Sequence, residues 1–189
     1  MQWSPQTTLE LCWRETLERM NLKGPQFEET PARAAKAFTE LTSGYREDPQ
    51  QYVKLFPSEV KTLVVIPEIT IASLCAHHVL PYFGKCCIGY VPNGQILGVS
   101  KFSRIVRSLS RKLTVQEELT ADIARFLMKA IRPLGVIVEI RAKHTCMMLR
   151  GREETSAYMV TADVAGIFQD DFALKSEFYQ LLAQRSDLI

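Results

Sequence analysis

Residues 100–142 read SKFSRIVRSLSRKLTVQEELTADIARFLMKAIRPLGVIVEIRA, two helical patterns followed by a strand pattern. At about 100° per residue, Phe102, Ile105, Val106, Leu109 and Leu113 form one stripe, with Lys101, Arg104, Arg107 and Arg111 opposite, so a helix opens at Ser100. A second helix is predicted from about Val115 to Ile131, apolar at Leu119, Ile123, Phe126, Leu127 and Ala130, ending before Pro133–Gly135. Val136–Ala142 then alternates, Val136, Val138 and Ile140 against Ile137, Glu139 and Arg141, which predicts a strand.

Outward from this block the texture is consistent. Upstream, Thr62–Ile66 and Thr70–Ala72 read as strand pieces interrupted at Pro67, and Lys85–Val91 as another strand ending at Pro92-Asn93-Gly94. Downstream, a strand is predicted around Ala157–Val164 and a short terminal helix over Glu177–Ala183. At the front, Thr7 or Thr8 is the expected cap of a first helix, roughly amphipathic through Leu9, Leu11, Trp13 and Leu17, which breaks near Asn21–Pro25. Thr30-Pro31 is a stronger start signal, with Thr as N-cap, Pro at the first helical position and Gly44 closing the helix. Helices, strands, two helices and strands in that order predict an α+β fold with mainly antiparallel pairing. Residues 1–60 are expected to be a helical extension and 61–189 the main domain.

The chain has 189 residues, enough for one domain to bury a core without disulfide staples. A net charge of +2 excludes a global pull toward nucleic acid or membrane surfaces, so any basic site must be local. Met1 to Trp13 lacks the basic flank and apolar run of an export signal, and runs such as Leu63–Ile66 are too short to span a bilayer. Five cysteines, two of them adjacent at Cys86-Cys87, fit reduced thiols better than a disulfide framework. A soluble cytoplasmic protein is expected.

All three histidines lie within three residues of a cysteine, as Cys75-Ala76-His77-His78 and His144-Thr145-Cys146. Thiolate and imidazole are ligands that Zn2+ favours. A closed structural site would use Cys75, His78, His144 and Cys146. A catalytic site would use three ligands and leave the fourth position to water, whose pKa falls to about 7. His77, beside a ligand, is free for proton transfer. The H-x-E and P-C-x-x-C pattern of zinc base deaminases is absent.

Between Glu68 and Glu117 there is no Asp or Glu, while Lys85, Lys101, Arg104, Arg107, Arg111 and Lys112 all fall inside. Cations at the start of a helix beside a metal site suit a polyphosphate, although most charge stripes are solvated faces. Arg150 and Arg152 add positive charge after Cys146. Gln116-Glu117-Glu118 ends the stretch; a buried Glu there could accept two N–H donors from a guanine edge, or simply favour the helix dipole.

Taken together, these residues resemble the GTP cyclohydrolase I family over nearly the whole chain. The match runs through Thr30-Pro-Ala-Arg-Ala-Ala-Lys36, Ser43-Gly-Tyr45, Cys75-x-His-His78 with Pro81 and Gly84-Lys85, and Ile88-Gly-Tyr-Val-Pro92. It continues through Leu97-Gly-Val-Ser-Lys101, Arg104-Ile-Val106, Val115-Gln-Glu117 with Leu119-Thr120, His144-x-Cys146 and Arg150-Gly151. The resemblance implies the tunnelling fold, a homodecamer of two stacked pentamers with active sites between subunits, and conversion of GTP and water to 7,8-dihydroneopterin triphosphate and formate.

By the same resemblance, Cys75, His78 and Cys146 hold Zn2+, which generates hydroxide for addition at guanine C8. His77 exchanges protons with the imidazole ring of the base, and His144 assists purine opening and later ribose steps. Ser100 stands at the ribose, Glu117 helped by Gln116 holds the guanine edge, and Leu97 and Val99 lie along its faces. Lys101, Arg104, Arg150 and Arg33 bind the triphosphate. Two departures stand beside these residues: Ala76 where the family usually has glutamate, and Glu118 where it usually has arginine. They suggest a paired exchange. They also leave open a diverged paralogue that opens the ring of a related purine or pterin only partially, or a non-catalytic nucleotide-binding oligomer.

Overall fold

The structure, a computed structural model, describes residues 5–151 and 153–184. Two N-terminal helices, α1 (Pro5–Arg19) and α2 (Thr30–Leu41), precede a short strand β1 (Leu55–Pro57). The long strands β2 (Val64–Cys75) and β3 (Pro81–Val91) follow, then β4 (Gln95–Leu97) and α3 (Val99–Ser110). Next come β5 (Leu113–Thr114), α4 (Gln116–Ile131) and β6 (Gly135–His144). A single helical turn α5 (Thr145–Met148), β7 (Met159–Gly166) and α6 (Phe172–Ala183) complete the chain. The five-stranded sheet has the order β5-β2-β3-β6-β7, antiparallel except where β5 runs parallel to the end of β2. β1 pairs with β4 in a separate ribbon.

The alternation in β6 serves two layers rather than a core and a solvent face. Val136, Val138, Ile140 and Ala142 point into the main core with Phe102, Ile105 and Val106 of α3 and Leu119, Ile123 and Leu127 of α4. Ile137 points the other way, into a smaller core with Cys87, Val91, Phe168 and Phe178 beneath α6. Glu139 shares that second face. It is 3% exposed and accepts from Arg141 Nε at 2.6 Å, so its burial is compensated by a paired cation.

Several sequence expectations are corrected. Pro67 does not interrupt a strand: β2 continues through it, with pairing that steps from Ile66↔Ile88 to Ile69↔Cys86. Pro67 and Glu68 together oppose Cys87, a one-residue bulge where proline's missing N–H costs no ladder bond, and Glu68 takes φ 60°. Thr30 does not cap α2. Glu29 occupies the cap position, and the Thr30 hydroxyl donates back to the Gln26 carbonyl at 3.3 Å. Thr7 and Thr8 lie inside α1 rather than at its cap. Thr42, not Gly44, ends α2. Gly44 is needed for close approach, since a Cβ there would sit 2.2 Å from the Ser108 carbonyl of α3. β3 begins four residues earlier than expected, and α6 five, capped by Asp171 accepting from the Leu174 N–H at 2.8 Å.

Chain direction then sets the two ends of the molecule. Cys75, Pro81, Thr114, Gln116 and His144 all fall at strand or helix termini at one end. At the other end, Gln95 Nε2 donates to the Ile131 carbonyl at 2.8 Å, joining β4 and the start of α3 to the last turn of α4. α4 has 16 residues and so separates the ends by about 24 Å.

Candidate functional site

Cys75 closes β2, and a tight turn returns the chain to β3: Val79 N donates to the Cys75 carbonyl and Cys75 N to the Leu80 carbonyl, both at 2.8 Å. This turn places His78 back over Cys75, with Cys75 Sγ 3.8 Å from His78 Nδ1. Cys146 arrives from α5, directly after β6. The three ligand atoms lie within 4.8 Å of one another. Tetrahedral Zn2+ bound by two thiolates and an imidazole has ligand–ligand edges of about 3.5–3.8 Å, so the soft donor set and its spacing fit that metal with small adjustments. Burial, and then the neighbouring Cys75, push the Cys146 thiol above its usual value, while Arg150 pulls it down.

The fourth ligand of the closed alternative does not join the group. His144 Nε2 instead lies 2.8 Å from Gln116 Oε1, and its ring stacks on Tyr82 at 4.5 Å between centroids and 8° between planes. Tyr82 and His144 are directly opposed in the β3–β6 ladder, so register alone makes this stack. Burial lowers the His144 pKa, and the charge of Glu117 opposes the shift. His77 is exposed, its Nδ1 3.9 Å from Cys75 Sγ, and stays outside the three-atom group. Gln116 is 1% exposed with its amide engaged by protein groups, whereas Glu117 beside it is exposed in the first turn of α4. His78, Cys146 and Arg150 line a cavity of about 340 Å³ with Met147, Gly151 and Glu154. Arg152 lies outside the described residues.

The remaining sequence candidates stand elsewhere. Leu97 is 2% exposed and packed in the main core, so in this chain it offers no surface to a ligand. Val99 is 73% exposed at the start of α3. Val99 and Ser100 line a groove of about 550 Å³ between α3 and β2. Arg104 borders another cavity, of about 300 Å³, with Glu47, Tyr52 and Arg107. Lys101 is half-buried on the same first turns. Ser100 is ten residues, about 15 Å of helix, from Ser110, beyond which β5 meets Cys75. Arg33 is exposed on α2 and paired with Glu29. One chain therefore holds two groups of candidate residues at opposite ends.

Residues not anticipated are Tyr82, which supports His144, and Thr161 and Thr120, which surround Gln116. Their side chains are common types whose roles depend on register, and no local pattern marks them.

A mainly antiparallel sheet with helices on its faces thus gathers, at one end, a Cys-His-Cys group able to hold a metal ion, with two further histidines alongside. Residues 12–183 match the family described as GTP cyclohydrolase I. GTP cyclohydrolase 1 of Teredinibacter turnerae is 44% identical over 170 residues, covering 89% of this chain and 90% of that protein. The Methylococcus capsulatus protein of the same name is 40% identical over 159 residues, covering 83% and 86%. That of Leptospira biflexa is 43% identical over 155 residues, covering 81% and 85%. The chain belongs to the GTP cyclohydrolase I family, and its sheet with paired helices is that family's tunnelling fold.

Proposed function

We propose that this chain converts GTP and water to 7,8-dihydroneopterin triphosphate and formate, using Zn2+ held by Cys75, His78 and Cys146. The observation that carries the reading is the three-ligand group with His144 held beside it by Gln116, in a chain of this family. When bound, Zn2+ supplies hydroxide at neutral pH, because it lowers the pKa of water to about 7. His77, exposed and one residue from a ligand, delivers and removes protons at the imidazole ring of the base. His144 serves the ring-opening and ribose steps, and its lowered pKa keeps it available as a neutral base. Glu117 accepts from the guanine N–H edge.

The triphosphate and ribose groups, Lys101, Arg104, Ser100 and Arg33, with Val99 along the base, come from a second copy of the chain, while Arg150 lies at the metal end. Two features support this assembly. The candidate residues of one chain divide between its ends. Both sheet margins are also open among the described residues: β2 has an outer neighbour only at Leu74–Cys75, and β7 has none. Strand edges left open in this way suit closure into a barrel, and two stacked pentamers are the assembly we assign. Residues 1–60 then act as an arm that carries Arg33 to a neighbour's site, with 61–189 as the catalytic domain. No described helix is long and apolar enough to cross a membrane, and the described cysteines are all free thiols; we assign the protein to the cytoplasm.

Incubation with GTP, following formate and the fluorescence of the oxidised pterin with and without a zinc chelator, tests the reading. Both products, lost on chelation, are expected. Formate without pterin would instead support partial ring opening, the reading that Ala76 and Glu118 favour. GTP binding with neither product, from zinc-loaded protein, would leave a nucleotide-binding oligomer.

A further inference from the structure

Gln116 lies at the start of α4 with every side-chain polar atom committed to protein. One terminal atom stands 3.1 Å from the Ile140 carbonyl, 3.2 Å from the Met159 carbonyl and 3.0 Å from Thr161 Oγ1. Carbonyls only accept, so this atom must be the amide nitrogen, and the atom facing His144 Nε2 at 2.8 Å must be Oε1. The surrounding hydroxyls agree. Thr120 donates to the Gln116 backbone carbonyl at 2.7 Å, which leaves its oxygen to accept from the Thr161 hydroxyl 2.6 Å away. Thr161 has then used its only proton, and its oxygen accepts from Gln116 Nε2. The proton directions close into one consistent ring, and an amide turned the other way would break it.

Because Gln116 Oε1 can only accept, His144 Nε2 must carry a proton. We propose that Gln116, locked by Thr161 and Thr120, is a positioning residue that holds His144 as its Nε2–H tautomer, with Nδ1 the basic nitrogen offered to the reacting molecule. Tyr82, stacked on the ring, keeps it from turning out of this arrangement. The lock draws on α4, β6, β7 and β3, so His144 is fixed from four elements rather than by its own strand end. This assigns Gln116 away from the guanine edge and rests on the cyclohydrolase reading for what Nδ1 meets.

The test uses zinc-loaded, 15N-histidine-labelled protein. Only three histidines contribute signals, and a His144→Asn variant identifies the one in question. A protonated Nε2 and bare Nδ1 are expected, becoming a mixture of tautomers in Gln116→Met. With GTP, Gln116→Met is expected to lower kcat by about 10²-fold and leave KM within about threefold, as for a misplaced group outside substrate contact. Thr161→Val removes one strut of the lock without approaching substrate, and is expected to lower kcat by roughly tenfold at constant KM. A wild-type His144 protonated at Nδ1 alone would overturn the proposal. So would a raised KM with kcat retained in Gln116→Met, which would return Gln116 to the guanine edge. The tautomer is read without substrate: finding Nε2–H in a protein that releases no formate from GTP would refute the cyclohydrolase reading and leave the lock standing.

Discussion

Tyr82 separates scaffold from chemistry in this site. Its ring is fully buried under His144, and its hydroxyl meets Thr114 Oγ1. Ser73 donates to the Lys112 carbonyl at 2.9 Å, so Thr114 donates to Ser73 at 2.8 Å and Tyr82 donates to Thr114. Burial raises the phenol above its usual pKa, which keeps that proton in place. Tyr82→Phe deletes one hydrogen bond and leaves Thr114 Oγ1 short of a donor but still bonded to Ser73, a cost of about 1–2 kcal/mol. The stacked ring survives, so kcat is expected to stay within about twofold. Tyr82→Leu loses the hydrogen bond, the stack and ring volume together, roughly 3 kcal/mol in all. It also frees His144 to turn, and kcat is expected to fall by about tenfold or more. Urea melts at one fixed protomer concentration measure the first quantity, since assembly and stability are linked; steady-state kinetics measure the second. If Tyr82→Phe loses as much turnover as Tyr82→Leu, the phenol takes part in the reaction and the scaffold argument fails.

Cys146→Ser is expected to lose both bound zinc, measured by metal analysis, and turnover; full activity surviving chelation would contradict the ligand assignment. In its proposed role Arg104 is a charged phosphate partner worth about 1.5–3 kcal/mol, so Arg104→Ala should weaken GTP binding roughly 10- to 150-fold with guanosine little changed. Equal weakening of the two in titration calorimetry would make Arg104 part of a solvated face. Burial raises the thiols of Cys86 and Cys87, so both stay protonated at pH 8 and should resist alkylation while exposed Cys12 reacts; mass spectrometry finding Cys86 labelled as fast as Cys12 would contradict their burial. Ala76 N donates to the Thr114 carbonyl at 3.1 Å, which sets residue 76 against the segment entering α4, whose first turn carries Glu118. Ala76→Glu with Glu118→Arg should therefore couple by at least about 0.5 kcal/mol in transition-state free energy, and additive kinetics would sink the paired exchange.

What was legible in the sequence follows from what each signal depends on. α4 and the start of α3 could be read to within a residue, because an apolar stripe and, for α4, a Pro-Gly stop are properties of the segment itself; the end of α3 could not, since Leu113, placed in its stripe, lies in β5. β1, β4 and β5, two or three residues each, have no such property; they are strands only because a partner lies alongside. In the first turn of α6 the apolar residues are divided, Leu174 packing on the second core and Phe172 78% exposed, so they form no stripe to read. In the site, Cys75, His78 and Cys146 stood out because rare residue types clustered at two places. The support of His144 did not, since Tyr82, Gln116 and Thr161 come together only through the β3–β6 register and the packing of α4 on β7.

The division of the candidate residues has the same origin as the fold. α3 and α4 are stiff rods laid on one sheet face, running in opposite directions with respect to the ends. α4 starts at the metal group and α3 finishes there, so the basic first turns of α3 are carried to the far end. Side-chain rotation does not recover the roughly 15 Å of α3 that lies between Ser100 and Ser110. On the proposed shared site, a substrate joining a purine to a triphosphate would meet ring chemistry at one end of this chain and Lys101 and Arg104 at the far end of another. Mutations at the two ends would then affect different subunits of one site, and the open margins of β2 and β7 are where those subunits would have to meet.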